Sequence, residues 1–283
     1  MPSIFEHLNN AAKILQTSGI EQPRREVASL LAFALQRDKT FLIAHPEYKL
    51  SNVEEKRFQR FLQRRASREP FQYITGKQEF YRLDFLVTPD VLIPRPETEL
   101  IVDAAIEILR GKKRAQFCEV GVGSGCISVS ILHEEKLASA IGFDISNQAL
   151  KIAQKNAETH RVLERLELKI SDVFEALQNE KFDLIVSNPP YISSEDTKNL
   201  QAEVRDFEPL MALTDGGDGV SIIEKIITGA PTFLKDGGFL LLEIGIAQAS
   251  RVSAMFSPQI WKDIDNFPDL QGIARMFKAQ TGK

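Results

Sequence analysis

The run Gln116-Phe117-Cys118-Glu119-Val120, then Gly121-Val122-Gly123-Ser124-Gly125, then Cys126 to Leu132, constrains the fold of this chain more than any other stretch. A short apolar segment, a loop with glycine at every second position and an apolar helical run together read as strand, turn and helix. A second apolar segment, Ala138-Ser139-Ala140-Ile141-Gly142-Phe143, follows and ends in Asp144. Strand, helix and strand in that order make a βαβ unit, so the expected fold class is α/β with an open, mostly parallel sheet.

In such sheets ligands bind at the carboxyl ends of the strands, and the polar residues fall there. Alternate glycines let the main chain turn tightly and let a ligand approach it, beside the positive end of a helix dipole. A nucleoside cofactor suits that place. The spacing is GxGxG; the GxGxxG of dinucleotide binders is missing, and no Lys-Ser/Thr pair follows, which excludes a P-loop. Asp144, 23 residues beyond Gly121, stands where an acid accepts hydrogen bonds from both ribose hydroxyls. Its competing reading is the cap of the helix that begins near Ser146. Leu166 to Ser171 reads as a third strand, ending at Asp172, which is placed near an adenine amino group.

The fourth strand, Phe182 to Ser187, runs directly into Asn188-Pro189-Pro190-Tyr191. Two consecutive prolines fix φ near −65° and push Asn188 into an extended conformation. The Asn188 side-chain oxygen and the Pro189 carbonyl are thereby held as a rigid pair of acceptors, which suits an NH2 group. Asn-Pro also initiates ordinary turns, so the tetrapeptide alone does not separate chemistry from a loop. The order glycine loop, acid, acid, Asn-Pro-Pro-Tyr at four successive strand ends is far more specific than any one member.

That order resembles the class I S-adenosylmethionine-dependent methyltransferases acting on planar NH2 groups. With Leu92-Ile93-Pro94-Arg95-Pro96-Glu97-Thr98-Glu99 and Glu208-Pro209-Leu210-Met211-Ala212-Leu213, the chain resembles the protein-(glutamine) methyltransferases of peptide chain release factors. The resemblance implies methyl transfer to the amide nitrogen of the glutamine in a Gly-Gly-Gln loop. It implies a cofactor site at Glu119, Gly121, Val122, Gly123, Ser124, Gly125, Asp144, Asp172, Val173 and Asn188. It implies a substrate and catalytic site at Asn188, Pro189, Pro190 and Tyr191, with Tyr191 packed on the flat amide and Arg95 in the wall. Val173 stands where the family often carries a large aromatic, with Phe174 beside it. The implied partner is a release factor, with no stably bound nucleic acid.

Domain organisation follows the same resemblance: a helical substrate-docking domain over residues 1–76, a β-hairpin linker over 77–93 and a Rossmann-like, seven-stranded methyltransferase domain over 94–283. The helical domain is also legible directly. Ile4, Phe5, Leu8, Ala11, Ala12 and Leu15 keep a 3.6-residue period, and Val27, Leu30, Leu31, Ala34 and Leu35 repeat it after Pro23, a residue suited to a first helical turn. A third helix opens at Ser51, paired with Glu54 as a capping box. Phe41, Leu42 and Phe61 are expected inside. Lys56, Arg57, Arg60, Arg64, Arg65 and Arg68 crowd that third helix, either as a solvated face or as a face that docks an acidic partner. The hairpin is expected over 79–93, turning at Thr88-Pro89-Asp90, and the next helix over 97–110, opening at Pro96. Residues 219–234 read as a helix and 238–244 as a buried strand, and the resemblance to class I methyltransferases implies that 261–264 and 275–278 form an antiparallel edge pair.

Composition narrows the classes. The 283 residues carry 35 basic and 39 acidic side chains, a net charge of −4, without the basic excess of a dedicated nucleic-acid binder. No apolar run reaches the roughly 20 residues of a membrane span, and the first residues lack a signal-peptide pattern, so a soluble, cytoplasmic protein is expected. Two cysteines, Cys118 and Cys126, and four scattered histidines make neither a disulfide framework nor a metal site. No extra apolar face stands out, so a monomer is expected. The rival readings are a nucleic-acid amino-methyltransferase acting on adenine, cytosine or guanine, a nicotinamide oxidoreductase, and a non-catalytic binding protein. The second lacks its GxGxxG and proton relay; the third is disfavoured because the glycine loop, Asp144 and the Asn-Pro-Pro-Tyr run are all present.

Overall fold

In the computed structural model, which describes residues 2–282, the N-terminal helices begin where their caps stand. Ahead of α1 (Ile4–Thr17), Ser3 accepts from the Glu6 N–H while Glu6 accepts from the Ser3 N–H, a capping box that satisfies two orphan donors. Pro23 opens α2 (Pro23–Leu35), Asp38 caps α3 (Lys39–Ala44), and the Ser51–Glu54 box opens α4 (Asn52–Ala66). α5 (Phe71–Thr75) ends on Gly76 in the left-handed region. The apolar stripes meet in one core around Ile4, Leu15, Leu30, Leu31, Phe58 and Leu62, all at most 2% exposed. Leu42 is buried with them, whereas Phe41 and Phe61 only pack against the core's edge.

Two further expectations about this unit change. Phe5 is 62% exposed, because residues 4, 8, 11 and 15 already occupy the inward stripe and residue 5 lies about 100° round the helix from residue 4. His7 is inside instead, edge-on to Phe58. The arginines of α4 are largely committed internally. Arg64 makes a two-pronged pair with Glu69, and Arg57 donates to the Ala34 carbonyl. Arg65, 5% exposed, pairs with both Glu26 and Glu203, and Arg68 donates to Glu203 and the Gly19 carbonyl. Glu203 lies in a short helix, Ala202–Phe207, from the segment Gln201–Phe207 that clusters with this N-terminal unit. The face that reads from sequence either as solvated or as docking an acidic partner is thus mainly an internal network of ion pairs and carbonyl contacts; Lys56 and Arg60 are the exposed cations that remain on it.

The second compact unit comprises Lys77–Leu200 and the chain from Glu208 onward. It starts with a hairpin, β1 (Lys77–Phe80) and β2 (Leu83–Leu86). The turn is Tyr81-Arg82, at φ +48° and +60°, and so precedes the expected Thr88-Pro89-Asp90. Positive φ at both central residues is the type I′ geometry that matches strand twist. The Glu99 carboxylate, accepting from the Tyr81 N–H, and Asp103, accepting from its hydroxyl, hold this turn without glycine. Phe80 and Phe85 are fully buried, each worth about 1.5–3 kcal/mol of burial.

After a 3-10 turn at Pro96–Thr98 come α6 (Glu99–Leu109), β3 (Gln116–Val120), α7 (Cys126–Glu134), β4 (Ser139–Asp144), α8 (Asn147–Thr159), β5 (Leu166–Ile170) and β6 (Phe182–Ser187). With Ala202–Phe207 counted as α9, α10 (Leu210–Leu213), α11 (Ser221–Phe233), β7 (Leu234–Glu243), α12 (Ala249–Ser253), β8 (Trp261–Pro268) and β9 (Ala274–Thr281) complete the chain. The sheet runs β5-β4-β3-β6-β7-β9-β8, parallel except for β9, which is antiparallel to both neighbours. Alternate residues serve opposite faces. Phe117, Leu184, Val186 and Leu241 join the core with α6 and α7; Cys118, Ile185, Leu240 and Leu242 join the core with α11. Strand order reverses direction between β3 and β6, and a crevice opens at their carboxyl ends.

Candidate active site

The crevice is a cavity of about 1040 Å³, counted to its open mouth, and it lies wholly within the second unit. Its wall contains Glu119, Gly121, Val122, Gly123, Ser124, Asp144, Asp172, Val173, Asn188, Pro189, Pro190 and Arg95, nearly every site residue expected from the sequence. Gly125 and Tyr191 are outside the wall. Gly125 caps α7 at φ +81°, and a β-carbon there would stand 3.2 Å from Ala153, so glycine permits the close passage of α7 over α8.

The glycine loop is braced from two directions. Gly121 and Val122 both donate to the Phe143 carbonyl, and Gly123 donates to Asp144 Oδ2 at 2.9 Å. Asp144 Oδ1 accepts from the Ser146 N–H, while the Ser146 hydroxyl caps α8. Asp144 is therefore not the cap. Its carboxylate is fixed by two main-chain donors at the cavity wall, and burial raises its pKa against the pull of those donors. Behind the loop, buried Asn156 accepts from the Leu86 N–H and donates to the Leu86 and Ser124 carbonyls, tying β2 to the loop.

Glu119, 1% exposed at the end of β3, accepts from both the Ser128 N–H and the Ser128 hydroxyl on Oε2. Burial pushes its pKa up to about 8, against those hydrogen bonds. Asp172 sits at the rim, paired with Lys225 at 3.4 Å. Val173 has φ +50°, a strained conformation for a β-branched residue, held by the Ser171 hydroxyl donating to its carbonyl. Phe174 does not take up the missing aromatic's place; it packs on Gly229 and Phe233 in the core, while Ile145 and Ile222 are in the cavity wall.

At the end of β6, Asn188 Nδ2 donates to Thr98 Oγ1 at 3.1 Å, and Thr98 donates to Glu243 Oε2 at 2.7 Å. The Tyr191 hydroxyl donates to Glu243 Oε1 at 3.2 Å. Tyr191 is thus held from the sheet side, packed against the core. Among the described residues nothing donates to Asn188 Oδ1 or to the Pro189 carbonyl, so both are left as acceptors. Arg95 pairs with buried Glu208 at 2.6 Å, and Glu208 also accepts from the Ile93 N–H, which draws Pro209 and Met211 into the wall.

Thr98, Glu208 and Glu243 were not singled out from the sequence. Thr98 and Glu208 fall inside the two stretches that carried the family resemblance, and Glu243 is an acid closing an otherwise apolar strand. Cys126 reaches the wall and Cys118 is buried; burial raises both thiols. Among the described residues no group of three or more His, Cys, Asp or Glu could hold a metal ion, and no helix is long and apolar enough to cross a membrane.

A seven-stranded sheet of this order, with a glycine loop, a strand-end acid and Asn-Pro-Pro-Tyr around one crevice, defines a class I methyltransferase. A solved T. thermophilus 16S rRNA N2 G1207 methyltransferase shares the fold at a TM-score of 0.52 and 18% identity, over 72% of this chain and 49% of that one. Profiles described as PrmC N-terminal domain and Methyltransferase small domain match residues 6–76 and 100–207. A release factor glutamine methyltransferase of Geobacter sulfurreducens is 42% identical over 95% of this chain and 93% of its own length. One of Koribacter versatilis is 40% identical over 97% of both. The chain belongs to the release factor glutamine methyltransferase family.

Proposed function

We propose that this protein transfers a methyl group from S-adenosylmethionine to the side-chain amide nitrogen of the glutamine in the Gly-Gly-Gln loop of peptide chain release factors. The observation that carries the reading is the acceptor pair at the end of β6: Asn188 Oδ1 and the Pro189 carbonyl, on two residues of the cavity wall and without a donor among the described residues. The substrate names of the relatives support it, as does their match over nearly the full chain.

The residues present fit the cofactor. Asp144 is a fixed acceptor for a ribose diol, Val173 and Ile145 offer apolar surface beside Asp172, and Glu119 with the glycine loop faces the remaining part of the cavity. Bound there, S-adenosylmethionine supplies an electrophilic methyl group. The carboxamide nitrogen is a weak nucleophile because its lone pair is shared with its carbonyl, the resonance behind the ~18–20 kcal/mol barrier of a peptide bond. Asn188 Oδ1 and the Pro189 carbonyl each take one N–H, aim the lone pair into the cavity and stabilise the positive charge that grows on nitrogen. Pro189 and Pro190 keep these acceptors rigid, so little reorganisation is needed.

The test is transfer of labelled methyl to a purified release factor, beside a copy whose Gly-Gly-Gln glutamine is alanine, and beside tRNA, rRNA and DNA. Label on the intact factor and not on the alanine copy is expected. Label on nucleic acid alone would leave the fold and cofactor in place and move the protein to the base-methylating class.

A further inference from the structure

The geometry points to Thr98 and Glu243 as positioning residues that determine which atom of the Asn188 carboxamide faces the substrate. The inference rests on the reading that Asn188 Oδ1 receives the substrate N–H. Thr98 and Glu243 are each 2% exposed, so their hydrogen bonds are made within the protein. A threonine hydroxyl has one proton. That proton goes to Glu243 Oε2 at 2.7 Å, so Thr98 Oγ1 can only accept from its other neighbour. The Asn188 atom 3.1 Å away must then be the NH2 group, which leaves Oδ1, on a residue of the cavity wall, free to accept from the substrate. Reversed, the carboxamide would present N–H groups to an incoming NH2, donor against donor.

The direction of the chain depends on Glu243 remaining an acceptor toward Thr98. The groups facing Glu243 are Thr98 at the head of α6, the Tyr191 hydroxyl from the loop after β6, Arg275 on β9, Glu97 in the 3-10 turn and the Cys126 thiol at the start of α7, whose own pKa burial holds up, with Arg95 acting on Tyr191. Burial pushes the Glu243 carboxyl up to about 7, with the Thr98 and Tyr191 hydrogen bonds and Arg275 opposing. A proton on Oε2 would be donated to Thr98, freeing the Thr98 hydroxyl to donate to Asn188 and turn its carboxamide over. Turnover should therefore rise with pH as Glu243 ionises, while cofactor affinity does not follow it.

The experiment measures kcat, KM for the release factor and cofactor affinity for Thr98→Val, Thr98→Ser and Glu243→Gln across about pH 6–8. Thr98→Val should lower kcat by about 10²-fold, the scale of a misplaced reacting group, with cofactor affinity unchanged as the sign of an intact fold. Thr98→Ser, which keeps the hydroxyl, should restore most of it. Glu243→Gln should lose the acid limb of the wild-type kcat profile, because the residue at 243 no longer titrates. Wild-type kcat in Thr98→Val, or an unchanged acid limb in Glu243→Gln, would overturn the inference. If Thr98→Val does not fold, the Glu243→Gln profile decides. Asn188→Ala separates the two levels. Full turnover in that variant would sink the acceptor reading itself, whereas an inactive Asn188→Ala beside a fully active Thr98→Val would sink only the positioning role.

Discussion

Gly219 backs onto Tyr191 so closely that a β-carbon at 219 would stand 2.3 Å from the Tyr191 carbonyl oxygen. The same carbonyl and that of Gly219 both accept from Gln248 Nε2, so one side chain clamps the loop after β6 to the start of α11. Asp215 completes the clamp by accepting from the Gly217, Gly219 and Ser221 N–H groups. At φ +79° and with no space for a methyl group, Gly219→Ala must move main chain at Tyr191. We expect a stability loss of about 1–3 kcal/mol in urea unfolding and a lower kcat. Wild-type stability and turnover in this variant would mean that the Tyr191 loop is free to shift without consequence.

Asp144 should separate binding from chemistry. Its carboxylate is already fixed by the Gly123 and Ser146 N–H groups, so on the proposed function it would meet a ribose diol without reorganising. Asp144→Ala is expected to weaken S-adenosylmethionine binding by about 1.5–3 kcal/mol, the value of hydrogen bonds to a charged group, and to leave kcat at saturating cofactor much closer to wild type. Calorimetric titration reads the first quantity and saturation kinetics the second. An unchanged dissociation constant would remove Asp144 from the cofactor site.

The N-terminal unit makes a prediction about stability alone. Arg65 is nearly buried between Glu26 and Glu203, so Arg65→Ala leaves the partly buried Glu26 carboxylate without its partner and Glu203 with Arg68 alone. The expected cost is about 3–5 kcal/mol, while Arg60→Ala, on the exposed side of α4, should stay within about 0.5 kcal/mol. Equal losses from both variants, measured by urea unfolding, would argue that the network around Glu203 contributes nothing particular.

What could be read from sequence and what could not divide along the range of the interactions. The strands β3, β4 and β6 and the Ser51 cap were legible because period and capping are local signals, whereas the edge pair β8–β9 followed from the resemblance to class I methyltransferases. The positions of Asn188 and Asp144 followed because ligands gather at the carboxyl ends of parallel strands. The hairpin turn was missed because Tyr81 and Arg82 carry none of the usual residues for positive φ; Glu99 and Asp103, from α6, hold them there. The internal use of Arg65 and Arg68 was hidden because Glu203 is 138 and 135 residues away in sequence. Thr98, Asn188 and Glu243 likewise lie on separate elements, and only the folded sheet brings them together.

Glu119 should leave its mark on the pH dependence of folding. Burial holds its carboxyl up at about 8 in the folded chain, against a value near 4.5 when exposed. Between those two values the folded chain keeps a proton that the unfolded chain releases, so rising pH favours unfolding. The contribution is fully present below about 4.5 and lost as pH rises through about 8; Glu243, raised to about 7, acts with the same sign. At 1.36 kcal/mol for each pKa unit, the effect is on the order of a few kcal/mol. Urea unfolding at constant ionic strength should therefore show stability falling from about pH 5 to about pH 9, and Glu119→Gln should flatten the slope. A Gln variant with the wild-type slope would mean that Glu119 is ionised in the folded protein, its charge balanced by the two Ser128 donors.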